Sequence, residues 1–366
     1  MRSTVVALLL IPFASDASAG GGVLEINQTC ALQTGCFAGD TAGYPVTIVS
    51  SGSYRLTSNL TVPNENTDGL VVGGESGVSI DLEGFEIRGP VICDGAPFVC
   101  TPATGSGSGV KSTSNAVYGI SVRDGSITGM GANGVALGSQ AEATNLRVRW
   151  NGQDGVSVVQ GSIVSGMIIF ENGGDGISGL HASTVSANTV FRNGGDGVKV
   201  WDGSTVSGNT SYNNGFDGID AKSGSTITGN TTYGNTGFGI VAAQSAVVQG
   251  NTLRVNSSGG ISAGFLAHVV DNSLDGNGGP GIAASDGSNI TRNTVGAITP
   301  IFAGHPGITC GGGCAVYDNL VRNTSQAMTL GAGSRYGRNV LSLSPNPAVT
   351  GSGVSAGDNL CNGVSC

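Results

Sequence analysis

The chain has 366 residues, of which 65 are glycine and only 11% are charged, and its formal net charge is −9. So much glycine with so little charge excludes an ordinary globular α/β enzyme and suits a thin core with many turns. The negative balance disfavours nucleic acid, and acidic polymers too unless a local basic patch overcomes the long-range repulsion.

Taken in chain order, Met1-Arg2, the apolar run Val5 to Pro12 and Ala17-Ser18-Ala19 read as a signal peptide over residues 1–19, with the mature chain starting near Gly20. No later apolar run approaches the ~20 residues of a membrane helix, so no transmembrane segment is expected and the product is secreted or periplasmic. Residues 20–58 read as an entry segment and cap. Gly77 to Gly89 aligns with Tyr118 to Gly129 some forty residues later, and a further unit runs from Met130 to Trp150. Between them residues 90–114 form an excursion.

From Asn151 to Ala297 the chain repeats every 21 residues, seven times, with units opening at Asn151, Asn172, Asn193, Asn214, Asn235, Asn256 and Asn277. A fixed period of this kind means stacked units that cannot bury their apolar faces alone. Val198-Lys-Val200 and Thr205-Val-Ser207 alternate apolar and polar and are rich in β-branched residues, which predicts very short strands. The Asn-Gly-Gly-Asp-Gly, Asp-Gly-Ser and Ser-Gly-Asn segments between them supply corners. Equal unit length places each strand parallel to the one before, about 4.8 Å away. The fold class is therefore all-β, a right-handed parallel β-helix over residues 59–344 with little helix. A second excursion interrupts it at 298–314, and a C-terminal cap closes it at 345–366. The two Asn columns, at the opening residues and at Asn188, Asn209, Asn230, Asn251, Asn272 and Asn293, read as amide ladders. Sequons at Asn209 and Asn230 are chance matches in so Asn- and Thr-rich a chain.

Eight cysteines fall into four close pairs, Cys30/Cys36, Cys93/Cys100, Cys310/Cys314 and Cys361/Cys366. An even count in an exported chain favours disulfides, and nearest-neighbour bridging is the expected set.

Val78-Ser-Ile-Asp-Leu-Glu-Gly-Phe-Glu-Ile-Arg-Gly89 and the Asn-Gly-X-Asp-Gly-Ile/Val units resemble the right-handed β-helix superfamily of pectate-lyase-like proteins, in its Gly- and Asn-rich secreted branch. The resemblance spans roughly Ser50 to Leu343 and implies the fold. Its members include polysaccharide lyases, glycoside hydrolases, uronate epimerases, phage tailspikes and adhesins, so the fold does not choose the activity. Asn66-Thr67-Asp68 and Lys111-Ser112 match fragments of polygalacturonase-like and alginate-lyase-like motifs, but the remaining motif elements are missing, and no catalytic residue is carried over.

Residues 21 apart become neighbours, so outward columns can be written from the sequence. With Val198 and Val200 inward, Lys199 and Trp201 point outward. The same columns are expected to hold Asp81 and Glu83, Ser121 and Arg123, and Asp220 and Lys222. Together with His181 and Asp202 this makes one polar–aromatic patch. Trp201 offers a stacking surface for a sugar, and Lys199 or Lys222 a carboxylate partner or an eliminating base. Asp202 and Asp220 offer an acid/base pair, with His181 beside them. The bland alternative is a surface ion-pair lattice beside one large ring.

Asp154, Asp175, Asp196 and Asp217 stand one per unit just before this strand. They serve either as turn residues or as ligands for Ca²⁺. A third column, Arg149, Phe170, Phe191, Tyr212, Tyr233 and Arg254, is expected to face outward, unless Ser211 and Thr232 let the tyrosines turn in. Tyr212, Tyr233 and Arg123 thereby join Trp201 as substrate-binding candidates. A third face, with Thr184, Thr205 and Thr226 in line, loses its regularity at Val247.

The function read from these residues is a β-helix that binds extracellular polysaccharide or a cell surface without catalysis and requires no cofactor. The alternative is a lyase, hydrolase or epimerase acting on an acidic polysaccharide at the Lys199 patch. A groove walled by the 90–114 excursion would favour catalysis.

Overall fold

The computed structural model describes residues 22–74, 76–95, 99–102, 105–296, 304–342 and 348–366. The expected signal peptide, residues 1–19, lies outside the described residues, as does the start of the 298–314 excursion.

Each regular rung carries three short strands, represented by Val198–Val200, Thr205–Ser207 and Thr210–Tyr212. Every strand pairs in parallel with its counterpart 21 residues on: Val198 with Ile219, Thr205 with Thr226, Thr210 with Thr231. The first strand column forms a 14-stranded sheet. The second and third merge into a 28-stranded one, because Ser121–Thr128 and Glu142–Arg149 each run through both. The left-handed residue at that passage, Asp124 and Asn145 in these two strands with φ of 59° and 52°, is glycine in several later rungs, with φ of 64° and 63° at Gly208 and Gly229. Glycine meets this without the steric cost an L side chain carries.

Inward residues form one continuous core, with Val198, Val200 and Val206 fully buried. Both Asn columns are 0–2% exposed from Asn151 to Asn359. Asn172 Nδ2 donates to Asn193 Oδ1 at 2.9 Å, and the same oxygen accepts the Asn172 backbone N–H at 3.1 Å. Asn209 does likewise toward Asn230, at 3.0 and 2.9 Å. Each buried amide is thus satisfied by the next, which removes the ~1–3 kcal/mol cost of an orphaned polar group. The sequons at Asn209 and Asn230 are sealed inside this ladder, each 1% exposed.

Paired strands reach beyond residues 59–344 at both ends. Leu24–Ile26 lies on Gly52–Leu56, and Val46–Ile48 begins the 14-stranded sheet. Between Leu24–Ile26 and Val46–Ile48 lies the six-residue helix Gln28–Gln33, capped by the Asn27 side chain accepting from Cys30 N at 2.9 Å. At the far end Leu360–Cys361 pairs antiparallel with Val364–Ser365, which covers that strand's outer edge with the chain's own backbone.

The disulfides are Cys30–Cys36, Cys93–Cys100, Cys310–Cys314 and Cys361–Cys366, as nearest-neighbour bridging requires. Such bonds persist in oxidising compartments. The first excursion is a hairpin of Ile92–Asp94 and Val99–Thr101, and the stack resumes at Val110–Ser112. Pairing likewise resumes at Pro306–Cys310, so both stretches rejoin the stack before the expected ends at 114 and 314. No helix among the described residues is long and apolar enough to cross a membrane.

Candidate functional site

The corner before the first strand column holds Asp154, Asp175, Asp196 and Asp217 in line, and their carboxylates serve the backbone. Asp154 Oδ1 accepts from Asp175 N at 2.8 Å, Asp175 Oδ1 from Asp196 N at 2.7 Å, Asp196 Oδ1 from Asp217 N at 2.9 Å, and Asp217 Oδ1 from Phe238 N at 2.6 Å. One rung earlier Asn133 Oδ1 does the same for Asp154 N, so the role needs an acceptor and not a charge. Burial pushes the Asp154 and Asp217 carboxyls up to about 6, against the lowering effect of those backbone bonds, and Asp175 rises for the same reason. The four carboxylates run as a line and do not converge. Among the described residues no group of three or more His, Cys, Asp or Glu side chains is placed to hold a metal ion.

Lys199 lies against this line, its Nζ 3.1 Å from Asp196 Oδ2 and 3.5 Å from Asp175 Oδ2. Burial pulls the ammonium down, but the bond to Asp196 and the charges of Asp175, Asp196 and Asp220 outweigh it and raise it above its usual range. A lysine held protonated in this way is poorly suited to be the base of an elimination. Asp220, directly paired with Lys199 across the sheet, is buried, and both of its oxygens accept from Lys222 Nζ at 2.9 and 2.7 Å.

Trp201, His181 and Asp202 lie beyond the strand, on the corner that follows it. The indole is 42% exposed and meets the His181 ring edge-to-face with centroids 5.5 Å apart. His181 Nδ1 is 3.8 Å from Asp202 Oδ2, while Asp202 Oδ1 accepts from Ser223 N at 2.9 Å. The expected patch thus divides into a paired Lys/Asp lattice on the sheet and an open Trp/His/Asp cluster at its rim.

Arg123 does not share this face. Its strand pairs with Ser79–Asp81 on one side and with Glu142–Thr144 on the other, in the 28-stranded sheet, and the guanidinium binds Asp81 and, at 3.1 Å, Asp124. The sequence assigned it, with Asp81, Glu83 and Ser121, to the Lys199 column because Val122 alternates as Val198 does. Alternation fixes which side faces in, not which strand of the rung is which. The residue that occupies the Lys199 column at this level is Lys111, paired through Ala136. Its Nζ lies 3.4 Å from Asp68 Oδ2, so the two motif fragments meet in one ion pair.

The aromatic column faces outward. Ser211 and Thr232 are fully buried, and Ser211 Oγ donates to Gly218 O at 2.7 Å, so both hydroxyls turn in and both tyrosines turn out. Phe170, Phe191, Tyr212 and Tyr233 stack ring on ring with centroids 4.9, 4.8 and 4.6 Å apart and interplanar angles of 1°, 5° and 6°. Arg147 lies 4.6 Å from the Phe170 ring centre, and closes that end of the stack. Faces within the row are spent on one another, leaving edges outward. Tyr212, stacked on both faces, lacks the open face that sugar stacking needs, whereas Tyr233 ends the row of rings with Tyr212 on one face and is 38% exposed.

A second constellation escaped the sequence reading. Trp150 Nε1 donates to Glu171 Oε2 at 2.8 Å, and Arg192 Nη1 lies 3.0 Å from Glu171 Oε1. These three occupy one position on successive rungs, 21 residues apart, so complementary chemistry at that interval was the signal. The Cys93–Cys100 hairpin packs here, its Val91, Cys93 and Cys100 clustered with Trp150. Its Gly95 borders a cleft of about 620 Å³ lined by Gly173, Arg192, Gly194, Asn213, Gly215, Phe216 and Thr236. Another of about 580 Å³ lies between the N-terminal helix and the base of the hairpin, at Leu32, Arg88, Ile92 and Trp150. Neither is lined by Lys199, Trp201 or Asp220. The hairpin stands at the corner preceding the Lys199 strand, whereas Trp201 lies at the corner following it.

Stacked parallel rungs, amide ladders and an exposed rim define a β-solenoid whose Lys199 patch lies on its lateral surface. The family model for the right-handed β-helix region matches residues 46–210 and 133–265, and the chain belongs to that family. No curated protein matches it in sequence. Among solved structures it is similar to the A-module of an Azotobacter vinelandii mannuronan C-5 epimerase, at 14% identity and TM-score 0.46 over 87% of this chain and 88% of that one. It is also similar to a double mutant of a periplasmic alginate epimerase, at 12% identity and TM-score 0.50 over 90% and 84%. A tailspike protein mutant of E. coli bacteriophage HK620, in complex with a pentasaccharide, is 12% identical with TM-score 0.46 over 92% and 72%. At these identities the likeness is one of fold.

Proposed function

We propose that the protein is an exported, non-catalytic β-helix that binds extracellular polysaccharide on its lateral surface, with Trp201 as the stacking ring and His181 and Asp202 as its polar rim. The observation that carries this is the exposure of Trp201, 42% open on a rim whose neighbours are hydrogen-bonding groups. A broad apolar ring edged by polar groups matches the alternating C–H faces and hydroxyls of a pyranose chain. Against catalysis stand the protonated Lys199 and the Asp220 carboxylate clamped by Lys222.

The test is a panel of polyuronates and neutral glycans, with and without Ca²⁺, followed for binding and for unsaturated products. The expected outcome is binding that Trp201→Ala weakens about tenfold, with no product released. Unsaturated product whose release is lost in Lys199→Ala would overturn the non-catalytic reading.

A further inference from the structure

Phe216 breaks the chain's own rule for its corner. At the equivalent position the regular rungs carry Gln153, Gly174, Gly195, Gly237, Ser258 and Gly279, so glycine or a polar residue closes the turn everywhere but here. Phe216 is nonetheless 64% exposed, a large apolar ring held in water where the fold does not require one. It stands at the edge of the cleft of about 620 Å³ that the hairpin's Gly95 borders, with Arg192, Asn213 and Thr236 around it. The floor is glycine on three successive rungs, Gly173, Gly194 and Gly215. From the Gly173 rung to the Thr236 rung is three spacings of ~4.8 Å, so the cleft extends about 14 Å along the axis.

The chemistry of the walls narrows the occupant. The floor's N–H groups are already used: Gly194 N donates to Asn172 O at 2.8 Å, Gly215 N to Asn193 O at 2.8 Å and Phe216 N to Gly195 O at 3.1 Å. A peptide therefore finds no edge to pair with, and recognition falls to side chains. Those side chains are one aromatic ring, two neutral hydrogen-bonding groups and one guanidinium, whose charge Glu171 offsets at 3.0 Å. A single offset cation is too little for a polyphosphate. A ring flanked by amide, hydroxyl and guanidinium groups suits a sugar with its C–H face on Phe216.

We infer that this cleft is a second glycan subsite, taking a short run of pyranose units along the helix axis with one ring on Phe216 and polar substituents on Arg192, Asn213 and Thr236. It rests on the polysaccharide reading for its ligand class and is separate from Trp201 in place: Phe216 lies at the corner before the strand Ile219–Ala221, and Trp201 at the corner after Val198–Val200. Two subsites on opposite margins of one sheet give a polymer two points of attachment, which multiplies affinity without new contacts.

The experiment titrates the full-length chain and its Phe216→Gly, Phe216→Tyr, Trp201→Ala and double Phe216→Gly/Trp201→Ala forms with oligomeric uronans and neutral glucans by calorimetry. Phe216→Gly installs the residue that three neighbouring rungs already use, and unchanged circular dichroism and melting temperature confirm that it folds. The expected result is an approximately tenfold weaker Kd in Phe216→Gly, wild-type affinity in Phe216→Tyr, residual binding in Trp201→Ala and none in the double form. Wild-type affinity in Phe216→Gly with binding abolished in Trp201→Ala overturns the cleft and leaves the Trp201 surface standing. The reverse pattern supports the cleft and removes Trp201. Failure of the wild type to bind any of these glycans overturns both.

Discussion

The Asn172 column and the Asp175 column turn the same corner three residues apart, and each offers one side-chain oxygen per rung to the backbone of a neighbouring rung. The Asn oxygens take a backbone N–H and a second amide N–H together, so the column is closed on itself and fully dry. The Asp oxygens take only the backbone N–H and leave Oδ2 outward, where Lys199 alone reaches two of them. The amide carries a donor as well as an acceptor and can sit in the core, whereas the carboxylate is all acceptor and must stay near water or a cation. Position in the rung is thus set by the donor count of the side chain, and charge enters only where a column meets the surface.

The sharpest way to break this comparison is to exchange the chemistries. Asn214→Asp puts an acceptor-only, ionisable group against the Asn235 oxygen it now donates to at 3.0 Å, and a loss of about 4 kcal/mol is expected in urea unfolding at neutral pH, less in acid where the carboxyl is neutral. A smaller effect follows from Lys199→Met, which strips the countercharge from Asp175 and Asp196. About 1 kcal/mol should be lost at pH 7, a modest figure because the lysine end of the pair is open to screening by solvent.

In the other direction, Asp154→Asn copies the natural Asn133 and should be tolerated. The Asp154 and Asp217 carboxyls are raised to about 6 in the folded chain and titrate near 3.8 unfolded. The folded state therefore holds protons that the unfolded state has released between those values. That stability is present in full below about pH 4 and lost as pH rises through about 6. Melting curves across this window should slope downward for the wild type and more gently for Asp154→Asn, with a gain of about 1 kcal/mol at pH 7. Least of all, chelation with EDTA should move the melting temperature by no more than about 1 °C, because the Asp oxygens are engaged one by one with backbone amides; a large Ca²⁺-dependent shift would make the column a metal site.

How far the sequence could be read follows from the same geometry. The 21-residue interval between Asn151 and Ala297 placed the Asn ladders, the Asp line, the aromatic column and the Lys199–Asp220 neighbours, since equal rung lengths leave no freedom in register. Upstream the interval lengthens to 42 between Asp81 and Arg123, and the assignment of strand column failed there because all three strands of a rung alternate alike. The patch was legible as a set of residues and not as a division, because the Lys222–Asp220 clamp and the open Trp201 rim differ in side-chain reach and not in spacing. Phe216 was hidden for another reason: one large residue in a column that also holds Gly, Gln and Ser looks like drift until Gly95 of the hairpin, far away in sequence, is seen to border the same cleft.

The amide ladders also bear on how such a chain can change. Each rung is locked to its neighbours by amide oxygens. The Asn188 ladder runs on unbroken from 21-residue steps across a 26-residue step from Asn293 to Asn319 and 20-residue steps to Asn339 and Asn359, so the corners absorb changes in length while the amides stay in line. Duplicating or deleting a whole rung would likewise leave every amide a partner. Length in this molecule is therefore a quantity that can be gained or lost in whole rungs, and a genome that copied one rung would lengthen the surface while leaving its chemistry intact.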